Sequence, residues 1–485
     1  MSDPLPDTDR QELEVWLRRE FRFAATAMLK SISAEHLTRR REALAQTITP
    51  KPGSIVASPG FADYDPEPDY FFHWLRDSAL VMDAVREVMG AGLVDFDGHR
   101  VFADFVRFSL ELRQIDVRSA LAGTSGVAPH ARRYLRPPTD ILSTQGERLL
   151  SDARFNPDGT LDILKWARPQ LDGPALRALT LMRYWAISPP KEVGPELHEL
   201  IHQDLAFVRC HADEASFDIW EEELGHHYYT RLVQLGALYH GGNWLRLNGS
   251  ADEARACTKR ARELRALLDN HWCPARGIYL TCMDRDTIRH NRDPDISIVL
   301  GVLHAALPHG THSVLDSRVA ATLASLEDLF SDCFEINKHF QRCLPPALGR
   351  YPGDRYFDGG AYYISTLAAA EFCFHVAQKI ASHAQILNPE FSARFLDRAS
   401  DPFIRAADAD VLRHAPDHRG IAQALMAYGD GFLATVRKFT PATGELSEQF
   451  DRNTGNQRSA RNLAWSYAAF IMAYRARQRA NCLFA

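Results

Sequence analysis

Asp172-Gly173-Pro174-Ala175-Leu176-Arg177-Ala178-Leu179-Thr180-Leu181-Met182-Arg183-Tyr184-Trp185-Ala186 reads as one helix from end to end. Asp172 can cap it, and Pro174 suits its first turn. Leu176, Leu179, Met182 and Ala186 then recur at helical spacing, and Ser188-Pro189-Pro190 stops the run. The last such stretch has Ser459 as a candidate cap, followed by Leu463, Tyr467, Phe470 and Tyr474. Similar patterns occur over 9–46, 76–90, 99–115, 196–209, 226–240, 251–269, 295–307, 315–330, 359–383 and 419–436. That gives about twelve helices, joined by long Gly, Pro and aromatic loops, with one convincing hairpin near 277–289. Helices of similar length without a sheet predict an all-α fold, an α-barrel or a helical solenoid.

Length alone would suggest about three domains, but barrels hold this much chain in one unit. The 485 residues show no repeat, low-complexity tract or linker, so a single domain over 1–485 is expected, with 1–50 as an N-terminal helical segment. Apolar residues make up 46% and charged residues 24%, as in ordinary globular proteins. The net charge of -6 comes without a basic stripe, which argues against nucleic acid and suits an uncharged substrate. The longest apolar runs, near Ile296–Leu307 and Ala464–Tyr474, are too short to span a bilayer. The polar N-terminus lacks the features of a signal peptide. The eight cysteines show no C-x-x-C, which favours reduced thiols in the cytoplasm; Cys273 and Cys282 could still face each other across the hairpin.

Four loops set aromatic rings beside hydrogen-bonding groups: Asp69-Tyr70-Phe71-Phe72-His73-Trp74-Leu75-Arg76-Asp77, Trp166-Ala167-Arg168-Pro169-Gln170-Leu171-Asp172, Asp218-Ile219-Trp220-Glu221-Glu222, and Gly349-Arg350-Tyr351-Pro352-Gly353-Asp354-Arg355-Tyr356. A sugar has an apolar ring face and a rim of hydroxyls, so its site needs rings for packing and Asp or Arg for bidentate bonds. A Glu-rich run is more often a solvated face, and an aromatic beside an ion pair is more often core. Several such loops in one chain, with a separate Glu448 in Leu446-Ser447-Glu448-Gln449-Phe450-Asp451, weigh against coincidence. Inverting glycoside hydrolysis uses one carboxylic acid and one carboxylate base, about 6.5–9.5 Å apart to admit a water. The acid must keep its proton, so its pKa must be raised.

These loops, in this order, resemble the glucoamylases of glycoside hydrolase family 15. Glu448-Gln449-Phe450-Asp451 and Ser459-Ala460-Arg461-x-Leu463-x-Trp465-Ser466-Tyr467 complete the set, so that the likeness runs from about Ser54 to Ala473. The resemblance implies an (α/α)6 barrel with a pocket at one end and at most minor β-hairpins. It implies Glu221 as general acid, Glu448 as general base, and Ser459 as the residue that tunes their ionisation. Arg76 and Asp77 would clamp the non-reducing glucose, with Tyr70, Trp74, Trp166, Trp220 and Trp465 as walls. Glu222 and Arg350 would hold the next sugar; Arg168 and Tyr351 complete the expected substrate contacts. The expected product is β-glucose, cut singly from chain ends, with no cofactor and no metal. Gly353, Tyr362 and Asn462 depart from the familiar fungal pattern, leaving α-1,4, α-1,6 and trehalose preferences open. Neither a starch-binding module nor a signal peptide is recognisable, which points to small intracellular oligosaccharides or short α-glucans rather than raw starch; a monomer is expected.

Two other readings compete. His198-Glu199-Leu200-Ile201-His202 matches the zinc-peptidase pattern H-E-x-x-H, but it lies in a plain amphipathic helix and would leave the sugar-type loops unexplained. His226-His227 reads as structural. A non-catalytic helical barrel that binds glucan or protein is the other alternative, against which both carboxylates stand.

Overall fold

The computed structural model describes residues 7–60, 68–187, 194–284, 292–338, 344–383, 387–400 and 418–484. They fall into two compact units, one of residues 26–266 with 462–468 and one of residues 1–25, 267–461 and 469–485. The first carries Glu221 and the second Glu448.

In the Glu221 unit, helix Leu75–Ala91 packs along helix Gly173–Ile187, which also meets helices Gly194–His211 and Tyr228–Asn248. Both Leu75–Ala91 and Gly173–Ile187 are buried on most faces, so neither has the single apolar stripe of a surface helix. Their N-terminal ends approach closely because position 173 is glycine: a Cβ there would sit 2.6 Å from Leu75 Cβ. This brings the turn that starts at Asp172 against Arg76. The buried Arg177–Asp204 pair, with bonds of 2.9 and 2.7 Å, ties the Gly173–Ile187 helix to Gly194–His211.

In the Glu448 unit, helix Tyr363–His383 lies against His418–Phe439, and helix Ser317–Cys333 against Pro389–Ser400. A three-stranded ladder orders Gln457–Arg458, Gln449–Phe450 and Ala361–Tyr362, with Gln449 opposite both Arg458 and Tyr362. Strands among the described residues are otherwise short two-stranded ladders. No described helix is long and apolar enough to cross a membrane.

Several helix boundaries differ from the sequence expectation. The helix expected over 9–46 is Asp7–Leu29, followed by a ladder of Arg39–Arg41 with Gln46–Ile48. Arg41 decides this: its guanidinium bonds Asp69 at 2.9 Å, Asn156 at 3.0 Å and the Phe71 carbonyl at 3.1 Å, and those partners outweigh helix propensity. The last helix is Ala464–Asn481 rather than one capped at Ser459, because Ser459 and Asn462 both adopt left-handed backbone, with φ of 61° and 51°. The hairpin expected over 277–289 pairs Trp272–Cys273 with Ile278–Tyr279 and turns at Gly277; residues 285–291 lie outside the described set. So do Ser188-Pro189-Pro190, Cys343 and residues 61–67. Cys273 and Cys282 are free thiols, as are the other described cysteines.

Candidate active site

The loop that carries Glu221 is closed at its base by Ser216–Phe217 paired with Leu224–Gly225. Within it, Asp218 Oδ1 accepts the Glu222 and Glu223 backbone N–H groups at 2.6 and 3.0 Å. The Glu221 N–H donates to the Asp218 carbonyl at 2.9 Å. This side-chain-bonded turn forces Glu221 itself into the left-handed region, at φ 65°. His227 Nε2 donates to the Glu223 carbonyl, 2.9 Å away, and so braces the same turn.

The Glu221 carboxyl meets three N–H donors. Trp74 Nε1 and an Arg76 guanidinium nitrogen donate to Oε1 at 2.8 and 2.9 Å, and Trp166 Nε1 donates to Oε2. The two indoles stand edge to face, 6.1 Å between centroids, and Tyr70 adds a third ring 5.3 Å from Trp74. Buried Arg154 backs this wall, its guanidinium carbon 3.5 Å from the Trp166 centroid and 5.0 Å from Trp74. Trp465 presents its ring to Arg76 at 5.7 Å.

Arg76 is 5% exposed and faces three carboxylates. One terminal nitrogen bonds Gln170 Oε1 at 3.0 Å and lies 3.5 Å from Asp172 Oδ2; the other bonds Glu221. Its Nε lies 3.4 Å from Asp77 Oδ2. Burial works against the Arg76 charge, yet Asp172, Asp77 and Glu221 outweigh it and hold the guanidinium more firmly protonated than usual. Burial pushes the Asp77 carboxyl up to about 6 despite Arg76, with the Glu221 and Asp172 charges adding to the rise. Asp172 is raised for the same reasons.

Other sequence-derived candidates are placed differently. Arg168 spends its guanidinium on Asp152 at 2.6 Å, Asp162 at 2.9 Å and the Leu164 carbonyl at 3.0 Å, so it braces the loop that presents Trp166. Asp69 of the first motif is likewise structural, tied to Arg41 and to the Phe71 N–H. Trp220 and Glu222 are half-buried on the Glu221 loop.

In the Glu448 unit, the Ser459 hydroxyl donates to Glu448 Oε2, and the Glu448 N–H donates to the Ala460 carbonyl at 2.8 Å. Gln449 anchors the loop from below, donating to Tyr362 Oη at 2.7 Å and accepting the Gly360 N–H at 3.2 Å. Arg350 forms a bidentate pair with Asp354, at 2.7 and 2.5 Å, and is ringed by Tyr351, Tyr356 and Tyr362 at 5.1, 5.4 and 5.3 Å. Burial raises the Tyr362 phenol well above its usual value; Arg350 opposes this and Glu448 adds to it.

Sequence reasoning gave no site role to Arg154, Gln170, Asp172 or Gln449, and singled out Tyr362 only as a departure on the leaving-group side. Asp172 was legible only as a helix cap. Its carbonyl does accept the Leu176 N–H at 3.0 Å, but its carboxylate turns to Arg76. In the H-E-x-x-H segment, the His198 and His202 rings lie 4.9 and 5.3 Å from the Trp244 ring, while Glu199 accepts a bond from Gln203. Among the described residues no cluster of His, Cys, Asp and Glu is arranged to hold a metal.

Solved glucoamylases share this architecture. The structure from Hormoconis resinae superposes with a TM-score of 0.77 at 25% identity, covering 96% of this chain and 74% of its own. That from Hypocrea jecorina gives 0.77 at 24%, covering 96% and 72%. The fold is therefore the all-α (α/α)6 barrel of these hydrolases, with only minor hairpins beside it. Residues 32–475 match the model described as glycosyl hydrolases family 15, and the chain belongs to that family. Glucoamylase-1 of Arthroderma benhamiae is 28% identical over 431 residues, 87% of this chain. The intracellular sporulation-specific glucoamylase of Saccharomyces cerevisiae is 26% identical over 509 residues, 97% of this chain and 85% of that protein. The chain spans 64% of the length of the Arthroderma relative and 67% of the Blastobotrys adeninivorans glucoamylase.

Proposed function

We propose that the chain is an exo-acting, inverting α-glucosidase of the glucoamylase type. It would release β-D-glucose from the non-reducing ends of maltodextrins or short α-glucans. The observation that carries this reading is the convergence on Glu221 of two indole N–H groups and Arg76, beside buried Asp77. Such a cluster offers ring faces for a sugar and fixed hydrogen-bonding groups for its hydroxyls.

In the proposed reaction, Arg76 and Asp77 bind the hydroxyls of the terminal glucose, and Tyr70, Trp74, Trp166, Trp220 and Trp465 wall it. Glu222, Arg350 and Tyr351 serve the leaving-group side. Glu221 gives its proton to the glycosidic oxygen as the bond to the anomeric carbon breaks. Glu448 takes a proton from the water that attacks the opposite face, and inversion follows. Oε1 of Glu221 already accepts two N–H bonds, so donation runs from Oε2 or follows release of Arg76 to the sugar. The Ser459 hydroxyl orients the base. The chain would work as a single catalytic domain. Arg168 serves by bracing the Trp166 loop.

Linkage preference belongs to the leaving-group loop. Gly353 there has φ 77°, and a Cβ at that position would meet nothing within 4 Å, which leaves room for an α-1,6 or trehalose-like aglycone. A cytoplasmic setting is part of the same proposal, supported by the intracellular yeast relative; cell fractionation tests it. The central experiment is NMR of fresh product from the purified chain acting on maltose, maltotriose, isomaltose and trehalose. β-Glucose appearing first is expected. An α-anomer, or no turnover of any of the four, overturns the reading.

A further inference from the structure

Three elements meet at Arg76. Helix Leu75–Ala91 supplies Arg76 and Asp77, the loop over 166–172 supplies Gln170 and Asp172, and the loop over 218–223 supplies Glu221. Buried Tyr229, on helix Tyr228–Asn248, faces Asp172, Arg76 and Asp77, and the Trp465 ring covers the guanidinium. Arg154, paired with Asp162 at 2.8 Å, stands behind the indoles.

An arginine in sole possession of a carboxylate holds it ionised, which is the wrong state for a proton donor. Here one guanidinium faces three carboxylates, so its charge is divided. Asp172 is 1% exposed, and its Oδ1 has no hydrogen-bond partner among the described residues. A helix-capping aspartate normally spends its carboxylate on the helix N–H groups. This one turns its Oδ2 toward Arg76 instead, 3.5 Å away, while its carbonyl makes the ordinary first helical bond with the Leu176 N–H.

We propose that Asp172 is a positioning residue for the acid: by competing for Arg76, it keeps the Arg76–Glu221 contact weak enough for Glu221 to carry a proton when substrate arrives. The proposal rests on Glu221 being the general acid. Burial, with the neighbouring carboxylates adding, holds both Asp77 and Asp172 above the usual carboxylate range although Arg76 opposes it. Neutralising Asp172 removes one competitor and gives Arg76 more completely to Glu221.

The test is the pH profile of kcat/KM for maltose with the full-length Asp172→Asn variant, which keeps the side-chain shape and the backbone bond to Leu176. The basic limb is expected to move down by about one pH unit, a loss of about tenfold above the limb, with little change on the acid side. A limb that stays in place while activity falls equally at every pH overturns the proposal, since a merely structural role would do that. If the variant does not fold, infrared difference spectra between wild type and Glu221→Gln at neutral pH decide instead. A protonated-carboxyl band lost in the variant is expected, and its absence overturns the proposal. Should Glu221→Gln keep wild-type turnover of maltose, the assignment of the acid itself fails. If Glu221→Gln is inactive and the Asp172→Asn limb is unmoved, only the present inference fails.

Discussion

Glu221 is held by N–H groups of two tryptophans and an arginine, whereas Glu448 is met at Oε2 by a serine hydroxyl. The backbone differs too. In the first loop the acidic residue itself is left-handed; in the second, the hydroxyl donor is, with φ of 65° at Glu221 and 61° at Ser459. Non-glycine residues in that region cost about 1–3 kcal/mol each and persist where surroundings over-determine them. At Glu221 the Asp218 turn supplies that determination. At Ser459 it comes from the ladder beside Gln449. One carboxyl thus meets two rigid indoles and a guanidinium, and the other meets a small hydroxyl that can rotate; under the proposed roles that suits a proton donor at a fixed sugar and a base for a mobile water.

The sharpest way to break this contrast uses the leaving group. Glu221→Gln and Glu448→Gln should each lower kcat on maltose by about 10²–10⁴-fold. With α-glucosyl fluoride, which leaves without a proton, Glu221→Gln should recover most of the rate and Glu448→Gln should not. Equal recovery by both variants would erase the distinction between acid and base. A smaller effect is expected from Trp166→Phe, which keeps a ring beside Arg154 but removes the donor to Glu221 Oε2. Losing one preorganised donor should cost about 10²-fold in kcat, with KM nearly unchanged. A rise in KM alone would make Trp166 a wall and nothing more. Ser459→Ala should cost less, about tenfold, and should move the acid limb of kcat/KM to higher pH, because a hydroxyl donor favours the ionised base. An unmoved acid limb would place Ser459 outside the proton chemistry.

Not all of these features were equally legible in the sequence. Helix Gly173–Ile187 follows from Leu176, Leu179, Met182 and Ala186 at helical spacing and from a run too long for a buried strand. The aromatic loops stood out through Trp74, Trp166 and Glu221, whose residue types already state their chemistry. Arg168 stood in the same motif, yet only the geometry shows that Asp152 and Asp162 occupy it. Asp172 was hidden by its local reading: a candidate capping aspartate explains itself, and nothing in one dimension brings Arg76 to it. The ladder after Leu29 was missed because the decisive bonds of Arg41 go to Asp69 and Asn156, far along the chain.

The smallest predicted effect concerns a carboxyl treated in the opposite way to those around Arg76. Glu20, on the N-terminal helix of the Glu448 unit, is fully buried, and neither carboxyl oxygen has a hydrogen-bond partner among the described residues. One oxygen lies 3.1 Å from where a Cβ on Gly444 would stand, at the start of the loop leading to Glu448. Burial pushes this carboxyl up to about 8, with Arg19 opposing and Glu445 adding to the rise. The unfolded chain therefore releases this proton near pH 4.5, while the folded chain keeps it until about 8. Between those values the folded state binds more protons, so this group's contribution to stability falls as pH rises. The Glu20→Gln variant has no proton to lose. It should match the wild type in Tm near pH 4.5 and exceed it by about 2–4 °C near pH 8. Calorimetric melting at the two pH values checks this; a Tm difference that is the same at both would show that Glu20 is not held neutral by its burial.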